Sequence, residues 1–189
     1  MKKVLPVIAA LALAACSSTE NTQSEPLAKN DSVPNWVLFP VSDKGLASSS
    51  CVAWSGSLST DRAQAITAAR ADLSQQIQVK ASVLDRLYQR KAHSNDELNV
   101  GGTFEQVSKQ VAEQSLVGAI PQEVAFAKLD GVKQLCTLVV MSNTQDTFNN
   151  LVAKSGKRLD PSSREALYEE FKAQKAMKDL EKELENLSH

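Results

Sequence analysis

Three cysteines and two histidines hold most of the reactive chemistry in this 189-residue chain. Cys16 closes an apolar leader, Cys51 and Cys136 lie far apart, His93 sits in a polar stretch and His189 is the last residue. A zinc site needs three or four closely spaced His, Cys or carboxylate ligands, and a nucleophile activated by histidine needs an imidazole held beside it. Two scattered histidines suggest neither. No GxSxG, P-loop or dinucleotide fingerprint appears either. Asp61, Asp72 and Asp85 recur at intervals that suit a solvated helix face. The residues argue against an enzyme and call for no metal and no cofactor. What remains is the covalent chemistry of the cysteines themselves.

Cys16 has the most specific surroundings. Lys2 and Lys3 give a basic start, Val4 to Ala15 an apolar run interrupted by Pro6, and Leu13-Ala14-Ala15-Cys16 a small-residue ending. This is a secretory signal, too short to remain as a membrane span. The ending resembles the bacterial lipobox, in which the cysteine sulfur is acylated, residues 1–15 are cut away and the new amino group is acylated too. The plainer alternative is an ordinary signal followed by a chance cysteine. Several acyl chains, at about 0.8 kcal/mol per buried methylene, anchor stably where one chain does not. Ser17 stands where an aspartate would hold such a protein at the inner membrane, so the expected address is the periplasmic face of the outer membrane.

Composition is ordinary for a globular chain, 42% hydrophobic and 23% charged. The formal charge of −1 becomes −3 when Lys2 and Lys3 leave with the leader, which is no electrostatic footprint for nucleic acid. Residues 16–33 are polar and carry little apolar bulk, and so read as a flexible tether. The domain is expected at 34–155, with a C-terminal amphipathic helix at 156–189.

Thr60 to Lys91 is the element that must position the rest. Ile66, Ala69, Leu73, Ile77, Ala81, Leu84 and Leu87 repeat at three and four residues, one stripe of an α-helix roughly 45 Å long. Its alanine-rich first half suits close packing on a sheet, and its distal half would reach another element or another subunit. Thr60 or Asp61 is the expected N-cap and His93 to Asp96 the stop. Ahead of it, Pro34-Asn35-Trp36 reads as an extended entrance with Trp36 as a lid on the core, Asp43 to Ser50 as a loop, and Cys51 to Leu58 as a strand. Behind it, Thr103-Phe104-Glu105-Gln106 resembles a capping box opening a second helix to about Ser115. Asp130-Gly131 between two β-rich runs signals a hairpin. Thr144 to Ala153 predicts a short helix, and Asp160-Pro161 opens the last one as N-cap and first helical residue. Met177, Leu180, Leu184 and Leu187 continue its apolar positions, facing either their own domain or a neighbouring subunit. The expected fold is α+β, a small antiparallel sheet with a long helix across one face and a C-terminal helical extension.

In that arrangement the first strand pairs with the last, which brings Cys51 and Cys136 together. With Cys16 lipidated they are an even pair in an oxidising compartment, and a disulfide is expected between them. Two buried free thiols are the alternative. Their Cα separation decides, since beyond about 7 Å no bridge forms without backbone movement.

The lipobox, Pro34-x-Trp36, the strand ending Trp54-Ser55-Gly56, the helix Ala65-x3-Ala69-Arg70-Ala71-x-Leu73-x3-Ile77 and the hairpin into Leu135 to Val140 together carry a resemblance. The chain resembles, over residues 1 to about 142, the small outer-membrane lipoproteins of the Lpp-twenty type, which include the flagellar FlgP proteins. The resemblance implies a helix on a curved antiparallel sheet and assembly into rings or discs around the flagellar motor. The segment from Thr144, the Cys51 and Cys136 pair and Ser55 lie outside its pattern. Sequence and resemblance together lead us to expect a self-associating structural lipoprotein, with a monomeric binding module or assembly helper as the alternative.

Overall fold

The computed structural model of the protein describes residues 32–94 and 102–173. Its elements run α1 (Asn35–Leu38), β1 (Leu46–Ala53), α2 (Leu58–Ser94), α3 (Phe104–Ser115), β2 (Ala119–Leu129), β3 (Val132–Met141), α4 (Thr144–Ser155) and α5 (Pro161–Lys172). The three strands form one antiparallel sheet in the order β1-β3-β2. The α+β fold and the pairing of first strand with last are as expected. Asp130 and Gly131 turn the hairpin, with φ of 50° and 76°. Both values are left-handed, as the tight turn that best matches strand twist requires, and Asp-Gly accommodates them at low cost.

Two expectations at the entrance need correction. Pro34 is extended, with φ −58° and ψ 141°, but Asn35–Leu38 is not, because it forms one helical turn. Trp36 nevertheless packs on Ala47, Leu138 and Val140 over the outer sheet face, the lid position anticipated for it. The first strand also begins earlier, at Leu46, and ends at Ala53 instead of continuing to Leu58. Ser48, Ser49 and Ser50 read as loop, but the hydroxyls of the first two find partners. Ser48 donates to Asp72 at 3.2 Å and Ser49 to the Val37 carbonyl at 2.8 Å, so a serine run costs the strand little.

α2 crosses the inner face. Ala65, Ala69, Leu73 and Ile77 are fully buried, with Ala69, Leu73 and Ile77 against Leu46, Ala119, Val139 and Met141. Small side chains bring the helix down onto the strands, and each buried Leu or Ile contributes roughly 1.5–3 kcal/mol. At 37 residues the helix is about 55 Å long and outruns the sheet. Its distal half meets other elements of the same chain. Ala81, Leu84 and Tyr88 pack with Phe104 and Val111 of α3, Phe148 and Leu151 of α4, and Leu167 and Phe171 of α5. The first part of the C-terminal helix thus folds onto its own domain. Lys80, buried on α2, donates to the Ala173 carbonyl at the end of α5. Met177, Leu180, Leu184 and Leu187 lie outside the described residues.

Caps at the remaining boundaries follow the sequence. Thr103 and Gln106 make the reciprocal capping box of α3. Asp160 caps α5 ahead of Pro161, and Gly156 ends α4 in the left-handed conformation, φ 69°.

Candidate functional site

Cys51 and Cys136 face each other directly across β1 and β3, with Cα atoms 4.0 Å apart, and are joined by a disulfide closing an 85-residue separation. The bridge lies on the outer sheet face, opposite α2. Cys136 is fully buried. Free thiols at these positions are excluded. Cys16 and His189 lie outside the described residues. His93 belongs to the last turn of α2.

The three aspartates do not share a solvated face. Asp61 is 2% exposed and Asp85 5% exposed, and only Asp72 faces solvent. α2 begins at Leu58, so Asp61 lies within its first turn and does not act as the cap. Its carboxylate turns back to accept the Ser55 amide at 2.8 Å and the Ser55 hydroxyl at 2.7 Å, which pins the β1–α2 connection. Asp85 accepts the backbone N–H groups of Phe104 and Glu105, each at 2.9 Å, and so caps the start of α3 from another helix. Lys157 approaches it at 3.5 Å, with its ammonium 4.2 Å from the Tyr88 ring centre and 5.3 Å from that of Phe104. One buried carboxylate therefore joins α2, the start of α3 and the segment after α4. Its place in the apolar register, four after Ala81 and three before Tyr88, was the sequence signal. Asp61, four before Ala65, carries the same one.

Asp61 spends its oxygens on the amide and hydroxyl of Ser55, and Asp85 spends its own on two backbone amides with the Lys157 ammonium beside it. Among the described residues no group of three or more His, Cys, Asp or Glu side chains could hold a metal ion. A groove of about 300 Å³ runs between α2 and α5, lined by Leu87, Tyr88, Ala166 and Leu167 with Lys91 and Glu170 at its rim. A second hollow of about 420 Å³ lies between the 42–45 loop and the end of α5. At the hairpin end of the sheet Trp54 and Phe126 meet edge to face at 4.9 Å, and the Lys133 ammonium stands 5.1 and 4.0 Å from their ring centres. No described helix is long and apolar enough to cross a membrane.

Compared with family models, curated proteins and solved structures, the chain matches none of them.

Proposed function

We propose that this protein is a lipoprotein of the outer membrane, held through acylated Cys16 at the periplasmic face, whose folded domain is a self-associating structural component of an envelope assembly. Flagellar motility is the process we assign it to, on the resemblance drawn from Leu13 to Cys16, the Ala65 to Ile77 helix and the hairpin. The observation that carries the reading is the Cys51–Cys136 bridge. A cystine between neighbouring strands fits an oxidising compartment, the destination that the leader ending in Cys16 encodes. The chemistry of the domain supports a contact role over a catalytic one, because its buried carboxylates are engaged in capping and in closing connections.

Metabolic labelling with a palmitate analogue tests the anchor. The wild-type chain is expected to carry label and to fractionate with the outer membrane, and Cys16→Ser to lose both. An unlabelled wild-type chain in the soluble periplasm would sink the reading. Light scattering on the mature unlipidated chain, together with crosslinking in intact envelopes, tests the structural role. A strict monomer at high concentration with one stoichiometric foreign partner would favour instead a monomeric binding module or assembly helper. The apolar groove between α2 and α5 supports that second reading.

A further inference from the structure

The two edges of the sheet are not treated alike. Opposed residues in an antiparallel pair alternate between wide pairs, which exchange backbone hydrogen bonds, and narrow pairs, whose N–H and C=O groups point away from each other. Cys51 and Cys136, 4.0 Å apart at Cα, are a narrow pair. Three positions on, the Trp54 amide donates to the Lys133 carbonyl at 3.0 Å, which fixes the opposite phase. Ala47, Ser49, Cys51 and Ala53 therefore direct their backbone groups to the open side of β1. Gln76 takes the Ala47 carbonyl at 3.2 Å. That leaves Ser49, Cys51 and Ala53, three consecutive outward positions symmetric about Cys51.

By the same alternation β2 points Val124, Phe126 and Lys128 outward, and this edge is guarded. Ser32 exchanges two hydrogen bonds with Lys128, at 3.2 and 3.0 Å. The ladder is irregular between Pro121 and Glu123. Proline, irregularity, charge and a covering segment are the devices that keep edges from pairing. Among the described residues no backbone segment pairs with Ser49, Cys51 or Ala53 on that side, and there is neither a proline nor a charged residue from Leu46 to Thr60.

We propose that the open edge of β1 is a docking surface for β1 of a second copy of this chain, antiparallel about a two-fold axis at Cys51. This rests on the self-association proposed above and names its surface. The occupant follows from the edge itself. Ser49 pairs with Ala53 of the second copy, Cys51 with Cys51, and Ala53 with Ser49, so every outward group finds its complement in the same strand reversed. About six backbone hydrogen bonds form across the axis. No like charges meet there, because the strand carries none. The guarded β2 edge disfavours head-to-tail growth and leaves a closed pair with one continuous sheet. Asp72 and Gln76 reach this edge from α2, through the Ser48 hydroxyl and the Ala47 carbonyl.

The test uses the mature chain with its disulfide intact. Sedimentation velocity over a concentration series is expected to show a monomer–dimer equilibrium. The amides of Ser49, Cys51 and Ala53 are expected to exchange slowly when the dimer is populated and rapidly on dilution, a readout that needs no variant. Ala53→Pro removes an outward donor and no bond of the ladder, so it should weaken dimerisation about thirtyfold, one bond being lost from each half. Val124→Pro, the corresponding change on β2, should leave it intact. An oligomer whose three amides exchange freely and that ignores Ala53→Pro overturns this surface while leaving self-association standing. A monomer at every concentration overturns both. A photo-crosslinker at residue 53 that captures a foreign protein in envelopes overturns the second copy as occupant.

Discussion

Replacing Asp85 by alanine should be among the most damaging single changes in the domain. The carboxylate is almost sealed, with side-chain exposures of 7% for Asp85 and 1% for Lys157. It serves two backbone donors at the start of α3 and one ammonium from the segment after α4. Losing it leaves two amides without their acceptor, at roughly 1–3 kcal/mol for a buried one. It also removes the anion facing a buried lysine, and breaking such a pair costs about 3–5 kcal/mol. The two penalties overlap, so we expect a loss of about 3–5 kcal/mol, a large share of the roughly 5–15 kcal/mol typical of a domain. Asp85→Asn keeps one oxygen for one amide and should lose about half as much. The assay is urea unfolding of the oxidised mature chain at low fixed concentration, followed by far-ultraviolet circular dichroism. A loss below about 1 kcal/mol for Asp85→Ala, or equal losses for the two variants, would refute the idea that this carboxylate ties three segments together.

Other changes act elsewhere in the fold. Converting both Cys51 and Cys136 to alanine should lower stability by roughly 4 kcal/mol on the chain-entropy account, and thiol titration of the denatured wild-type mature chain should find neither cysteine free until reductant is added. Gly45→Ala should cost several kcal/mol or prevent expression, because φ there is 156° and a Cβ would lie 2.1 Å from the Met141 carbonyl oxygen, a backbone atom with no room to move. The Asp160 carboxyl is held at about 2, below its ordinary 3.8, chiefly by the Ser163 hydroxyl and also by the Ser163 amide. A depressed native value means that its support of α5 is complete above about pH 4 and fades as pH falls toward 2. Hydrogen exchange of the α5 amides should report that fading in the wild type, and Asp160→Asn should flatten it.

Much of this fold is written locally. Asp130-Gly131 demands a tight hairpin, Thr103 with Gln106 caps a helix by itself, and the repeat from Ile66 to Leu87 declares its buried stripe whatever covers it. The Cys51–Cys136 bridge followed from topology plus parity. What escaped the sequence reading depends on partners far along the chain. Ser48 and Ser49 look like loop until Asp72 and the Val37 carbonyl are there to receive their hydroxyls. Asp85 looks solvated until the start of α3, 19 residues away, folds over it. The same holds for the distal end of α2. Its length suggested reaching another element or another subunit, and only the fold shows that the cover is Phe104, Phe148 and Phe171 of the same chain. Which sheet edge is open was equally hidden, since it turns on hydrogen-bond phase and on where Ser32 lands.

The bridge between Ser32 and Lys128 fixes where the chain enters the domain, beside the hairpin tip and the start of α2. From there α2 runs away from the entrance, and its distal half, beginning at Ala81 about 35 Å along, is covered by α3, α4 and α5. On the anchor proposed at Cys16, a body hung from that point carries its three-helix end as a far pole, and both hollows beside α5 travel with it. Anything that seized those hollows would meet the domain far from that entrance, while the hairpin ends of the sheet edges stay near it. Two kinds of neighbour could therefore be engaged together without competing for space.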